Sequence, residues 1–478
     1  MPSVNPFLAL NYQSPFAELG EEFADPVLAA EFPQTRLRFR NDAVLAELGL
    51  EPATVADEHF IEAFGRFQGR GPFLSMRYHG YQFGTYNPEL GDGRGFLYGQ
   101  LRDRNGEWRD FGTKGSGQTP WSRSGDGRLT LKGGVREVLA SETLQRLGVT
   151  TCRILSLVET GESLIRGDEP SPTRSSVMVR YNRTHVRFGT FERLHYFGRK
   201  DLIARLLDHV IDCYYPHLRG DADAGARFYA ELVARTAELA AQWMAAGFCH
   251  AVLNTDNMSI CGESFDYGPW AFLDRFQPQF TAAYFDHSGR YRYENQPGIC
   301  RLNLELLQEP LGRVIPGADL EAGLAGFSDR YQQTWKTLML RRLGFAALPD
   351  GEAEALLRAT LTLLHESRVG YNEFFAQLRQ HYRPDWAADL GEIVEQLARP
   401  QADPAAPVSS DLWQRWRDQY HRCLGLVSGE ECEAIAGRLA EANPRIVPIR
   451  PVVESVWEPI TVADDWEPLA ALLAQIAE

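Results

Sequence analysis

The sequence has no uninterrupted apolar run approaching the roughly eighteen residues that cross a bilayer, so a membrane-spanning chain is not expected. Its opening, M-P-S-V-N-P-F-L-A-L-N-Y, lacks a basic segment followed by an apolar stretch, and secretion is not expected either. Positive charge is in deficit: 49 Lys and Arg stand against 64 Asp and Glu, a net charge of −15. That balance opposes nucleic acid as a partner, because a phosphate backbone would be repelled. Cysteine is scarce and unpatterned, with seven residues, no C-x-x-C and no even pairing. Such cysteines read as buried reduced thiols, not as a disulfide framework or zinc site, and the expected compartment is cytoplasmic. No internal repeat or low-complexity tract occurs. What remains is a chain of 478 residues with 44% apolar content, enough for a large buried core.

The most informative stretch runs from His250 to Gly268, H-A-V-L-N-T-D-N-M-S-I-C-G-E-S-F-D-Y-G. Kinase-like phosphotransferases carry H-x-D-x-x-x-x-N followed by D-F-G. The first Asp takes the substrate proton, while the Asn and the last Asp hold Mg²⁺. Here His250 and Asn257 keep the required spacing, and Phe265-Asp266-Tyr267-Gly268 follows where D-F-G belongs. The position of the catalytic Asp is Val252, which can neither accept a proton nor bind a metal. The metal-holding pair, Asn257 and Asp266, is kept. The base is moved or lost.

Upstream, Gly91, Gly93 and Gly95 lie between strand-like runs at 80–83 and 96–101, a glycine cluster that lets backbone N–H groups approach phosphate, or an ordinary hairpin turn. Lys114 follows in F-G-T-K-G-S-G, and Glu137 comes 23 residues later in an amphipathic helix that carries Val135, Val138, Leu139 and Leu144 and stops at Gly148. A strand Lys with a helix Glu is the kinase ion pair that orients nucleotide phosphates. The pair is read as partly exposed, so its loss should cost activity and little stability.

The blocks G-T-K-G-S-G-Q-T-P-W-S-R-S-G-D-G-R, V-R-E-V-L-A-S-E, R-F-G-T-F-E, N-T-D-N-M-S-I, F-D-Y-G-P-W-A-F-L-D and G-R-Y-R-Y-E-N-Q-P closely resemble the selenoprotein O family. The likeness extends from about residue 7 to beyond residue 304 and is most specific over 114–128. It implies an α+β, bilobal protein-kinase-like fold with a mixed α/β small lobe and a mainly helical large lobe. It also implies ATP bound in a flipped orientation and transfer of AMP to protein hydroxyl groups, with pyrophosphate released. By the same resemblance, Lys114 and Glu137 hold the phosphates with Gly91, Gly93 and Arg94. Asp126 and Gly127 complete the nucleotide site, Arg180 and Arg187 contact the nucleotide, Asn257 and Asp266 ligate Mg²⁺ (or Mn²⁺), and Asp256 accepts the proton. Charge supports these roles, since Arg forks onto phosphate oxygens and a pyrophosphate leaving group must be neutralised. Asp256 is the nearest carboxylate in the loop able to replace the missing base. Blander readings are a turn-capping role for Asp256, a surface strand for Arg180 and Arg187, and a loop-bracing role for His250.

The chain departs from the family where R-V-A-P-S-x-I-R-F-G is replaced by R-Y-N-R-T-H-V-R-F-G, which places Tyr181, Arg183 and His185 between the two arginines. No cysteine follows Cys432, so redox control through a C-terminal chalcogen is not expected. Three regions are expected: an extension at 1–60 packing on the small lobe, a nucleotide-binding lobe at 61–195, and a helical lobe at 196–478. The last opens with Leu202, Ile203, Leu206, Leu207, Val210 and Ile211 at helical spacing and contains a Pro/Ala linker at 399–410. Two other functions fit parts of the pattern. One is a γ-phosphate kinase of a small molecule, which Val252 disfavours. The other is a nucleotide-binding scaffold without activity, which has little use for an intact metal pair.

Overall fold

A computed structural model describes residues 5–367, 369–388, 390, 393 and 410–478. Most of the expected linker, 399–409, lies outside the described residues. The chain is a mixed α+β structure built on an antiparallel sheet and many helices. The sheet contains β1 (Ala24–Val27), β2 (Arg36–Arg40), β3 (Phe73–Met76), β6 (Leu97–Arg102), β7 (Trp108–Lys114), β9 (Arg153–Leu164) and β10 (Thr173–Asn182), in the order β1-β3-β6-β7-β10-β9-β2. A short β8 (Leu129–Thr130) pairs beside β10. Residues before 60 therefore do more than pack on the sheet: β1 and β2 are the two ends of its strand order.

The glycine cluster does not join neighbouring strands of one hairpin. The run at 80–83 becomes β4 (Gly80–Gln82), which pairs with β5 (Thr85–Asn87) as a separate small sheet, and the sheet neighbour of β6 is β3. The connection from β3 to β6 thus carries an inserted hairpin as well as the glycines.

Helix α3 (Leu131–Arg146), which follows α1 (Asp42–Glu47) and α2 (Asp57–Phe60), starts where the Thr130 side chain accepts from Gly133 N. It ends just before Gly148, at φ +76°. Its apolar stripe, Val135, Val138 and Leu139, meets Leu157 and Met178 of the sheet in one hydrophobic cluster that continues into Leu206, Phe228 and Trp243 of the helices. A second cluster, with Phe7, Phe64, Phe96, Tyr98 and Phe111, unites the sheet with the segment before residue 68.

Beyond the sheet come α4 (Phe188–Tyr196), α5 (Lys200–Tyr214), α6 (Ala224–Ala246) and α7 (Gln296–Leu311), followed by further helices to Ala477. The left-handed Gly247 ends α6 and delivers β11 (Phe248–Cys249), which pairs with β12 (Ala271–Phe272) and frames the loop from His250 onward. Helix α7 braces that loop. Gln296 Oε1 accepts from His250 N at 2.9 Å, and Asn303 Nδ2 donates to Leu253 O at 2.9 Å. All seven cysteines are free. Among the described residues, no helix is long and apolar enough to cross a membrane.

Candidate active site

A cavity of about 590 Å³ lies between the glycine-bearing connection, the end of β7, the loop at 121–128 and the loop from His250. Its lining includes Gly91, Gly93, Arg94, Lys114, Asp126, Gly127, Arg180, Arg187, Asp256 and Asp266, so these ten sequence-predicted residues converge. Glu137 stands behind Lys114. Asn257 is buried beside the cavity but does not line it.

Lys114, at the end of β7, donates to both Glu137 and Asp266. The Lys114 and Glu137 side chains are 4% and 1% exposed, so the pair is not the partly exposed contact expected from the sequence. Helix α3 packs on the sheet and sweeps water from both charges. Burial pulls the Lys114 ammonium below its ordinary pKa, against the pull of Asp266 and Glu137. Asp266 has a left-handed backbone, φ +63°, which turns its carboxylate toward the cavity. Burial would raise its pKa, but Lys114, Arg180, Arg94 and Arg187 together hold it well below the carboxylate range. It is therefore ionised at neutral pH.

Arg180, on β10, donates from Nη2 to Asp266 at 3.1 Å, while its Nε and Nη1 are buried with no hydrogen-bond partner. Arg187 donates from Nη1 to the Asp256 carbonyl at 2.9 Å and from Nη2 to Asp92 at 3.3 Å, and its Nε is likewise unpartnered. Both are buried, which removes the surface-strand reading. Buried guanidinium N–H groups without acceptors are costly unless an anion arrives to take them. His185 adds an unpartnered Nε2 at the same wall, with its backbone N donating to Asp110 at 2.7 Å.

Asp256 is buried. One oxygen, Oδ2, accepts from Gln82 Nε2 at 3.4 Å; the other, Oδ1, has no partner. Burial raises its pKa to about 6, with Arg187 opposing, so it is mostly a carboxylate at neutral pH and able to take a proton. Val252 presents no such group, and its carbonyl accepts from Asn257 Nδ2 at 3.0 Å. His250 Nε2 contacts the Phe265 carbonyl at 2.9 Å, the loop-bracing role anticipated for it.

The glycines answer to packing. A Cβ at Gly91 would lie 2.3 Å from Trp121 Cγ, so the connection can sit against the 121–128 loop only without a side chain there. Asp126 accepts from Arg128 N at 3.0 Å and pairs with Arg166 at 2.8 Å. It is tied locally while lining the cavity.

The model of the protein adenylyltransferase SelO family matches residues 6–477. The chain belongs to that family. The protein nucleotidyltransferase YdiU of Synechococcus elongatus is 69% identical over 475 residues, 99% of this chain and 96% of the relative. YdiU proteins of Gloeobacter violaceus and Trichodesmium erythraeum are 60% and 56% identical, each over 99% of this chain and over 96% and 99% of their own lengths. SelO membership accords with the resemblance carried by the motif blocks. Sequence reasoning missed Gln82, Asp92, Arg166 and Glu192. Asp92, the acidic residue inside the glycine cluster, could have been singled out as a partner for one of the arginines. Gln82 gives no motif signal, and Glu192, although it ends the R-F-G-T-F-E block, gives no sign of its role there, because both roles arise from contacts with residues more than sixty positions away.

Proposed function

We propose that this chain is a protein adenylyltransferase that moves AMP from ATP to hydroxyl side chains of proteins and releases pyrophosphate. The observation that carries this reading is the convergence of Lys114, Arg180 and Arg187, with unpartnered guanidinium N–H groups, on one cavity that also holds the carboxylates of Asp256 and Asp266. In the mechanism, Lys114, braced by Glu137, and the arginines 94, 180 and 187 bind the triphosphate. They stabilise the charge that builds on the departing β- and γ-phosphates. Asp256 Oδ1 accepts the proton of the substrate hydroxyl as its oxygen bonds to the α-phosphorus and the bond from that phosphorus to the bridging oxygen breaks. Gly91, Gly93, Asp126 and Gly127 shape the wall around the nucleotide.

Asp266 and Asn257 would hold Mg²⁺ or Mn²⁺. The residues fit: Asp266 is held ionised, and Asn257 commits its amide N–H to Val252, leaving its oxygen for a cation. No cluster of three or more His, Cys, Asp or Glu suited to a metal occurs among the described residues. Mg²⁺ commonly takes only one or two carboxylates and completes its shell with phosphates and water. When bound, the ion adds positive charge next to the triphosphate.

The same reading assigns a kinase-like, bilobal arrangement. Residues 61–195 with the sheet strands contributed by 1–60 form the nucleotide-binding lobe, and 196–478 form the helical one. Its reaction is tested by incubating the protein and an acceptor protein with ATP labelled separately at the α and γ positions. Protein-bound α label with an adduct of one AMP is expected. A γ label with an adduct of one phosphate overturns the reading in favour of a kinase.

A further inference from the structure

Between β3 and the glycines, the chain makes the β4–β5 hairpin, and its tip is bonded to the loop that carries Asp256 residue by residue. Tyr81 N donates to Thr255 Oγ1 at 2.7 Å, Gln82 Nε2 to Asp256 Oδ2 at 3.4 Å, and Phe83 N to Asn254 Oδ1 at 3.3 Å. Three successive hairpin residues thus engage the three successive loop residues 254–256. The contact is close: a Cβ at Gly80 would lie 2.7 Å from Asp256 Oδ1. Gln82 is itself oriented, because its Oε1 accepts from Asn87 Nδ2 at 3.1 Å, which points the amide N–H toward Asp256. Thr255 is fixed on its far side, donating to Glu192 of α4 at 2.7 Å. Tyr291 OH donates to Asn254 at 2.7 Å and accepts from Phe83 N at 3.1 Å.

The turn joining the strands is strained. Phe83 and Gly84 form a two-residue loop with φ +51° and +85°, and a bulky residue rarely adopts the first value. An isolated two-stranded hairpin is marginal in water, so the hairpin and the loop order each other.

Resting on the adenylyltransferase reading above, we infer that the hairpin is a positioning device for the base. Gln82 is the positioning residue that holds Asp256 Oδ2 and leaves Oδ1 to the substrate hydroxyl. Gln82 touches no reacting atom in this scheme and acts through Asp256 alone. A base misplaced by about an ångström loses on the order of tenfold to a hundredfold in rate while the nucleotide still binds.

The test measures kcat for transfer from α-labelled ATP to casein and to the chain itself, alongside ATP affinity by equilibrium binding. Gln82→Ala should lower kcat at least about tenfold with ATP affinity unchanged. In an Asp256→Ala background, Gln82→Ala should have no further effect, because the group it positions is gone. Thr255→Ser, which keeps the hydroxyl, should retain more kcat than Thr255→Val, which keeps the shape. If Asp256→Ala transfers AMP like the parent, the base assignment falls. If Asp256→Ala loses transfer but Gln82→Ala does not, or if the two losses multiply, the positioning role falls and the adenylyltransferase reading stands. A Thr255→Val variant more active than Thr255→Ser would likewise overturn it in favour of simple packing.

Discussion

Lys114→Met removes one cation while keeping a stem of similar length, and its effect can be worked from burial. Lys114 is the one described residue bonded to Glu137, whose other oxygen is already without a partner. With both side chains almost fully buried, the substitution leaves an uncompensated carboxylate in a dry interior, a loss of about 3–5 kcal/mol. An unfolding entropy of roughly 2 cal/mol/K per residue over 478 residues makes each degree worth roughly 1 kcal/mol. Tm should therefore fall by about 3–5 °C in Lys114→Met, and by less in Glu137→Leu, where Lys114 keeps its bond to Asp266. The double variant buries no unpaired member of this couple, and Asp266 keeps Arg180 at 3.1 Å. It should recover most of the lost Tm, yet AMP transfer should stay impaired, because the lysine that binds the phosphates alongside the arginines is still missing. Scanning calorimetry of the four proteins, with α-label transfer on each, decides it. Single variants that melt with the parent, or a double variant that falls by the sum of the two, would refute the buried-pair reasoning.

Asp256→Ala should reduce AMP transfer by roughly 10²–10⁴ with ATP binding retained; mass spectrometry showing an undiminished AMP adduct contradicts this. Asp266→Ala should lower transfer at least about a hundredfold and raise the Mg²⁺ concentration for half-maximal rate; unchanged turnover in a folded variant sinks the metal assignment. Val252→Asp should not create γ-phosphate transfer, since the arginines and Lys114 set the nucleotide's orientation; γ label on the acceptor protein would show otherwise. Burial lifts Glu192 from 4.5 to about 8. The folded state then binds more protons than the unfolded one between those values, and this group's contribution to stability falls as pH rises through that window. Glu192→Gln should flatten that slope in melting curves taken from pH 5 to 8.5, and a slope unaltered by the substitution would remove Glu192 as its cause.

The site was more legible than the fold around it. Lys114, Glu137, Asn257 and Asp266 were singled out by the residue types and chain order that phosphate and metal chemistry would need, and ten predicted residues, Lys114 and Asp266 among them, line one cavity. Helices α3 and α5 were legible from apolar periodicity, and α3 also from its stop at Gly148. Strand pairing was not: 80–83 alternates like a sheet strand, yet Gly80–Gln82 pairs only locally with Thr85–Asn87. Periodicity reports which face is buried and says nothing of the neighbour. Exposure of the Lys114–Glu137 pair was misjudged for a related reason, since charge alone does not reveal that α3 seals it.

The strands at the two ends of the sheet both come from early in the chain. Strand β1 pairs only with β3, and β2 waits for β9, with Arg40 meeting Ser156. On the ribosome, the segment that finishes the sheet is made before the strands it will cover. Until β9 emerges, β2 has no backbone partner, and a chain lacking residues up to 40 would present β3 and β9 as bare edges, ready to pair with another molecule. Deleting the early segment would thus exchange the five-residue edge β2 for the twelve-residue β9, and should register first as loss of solubility.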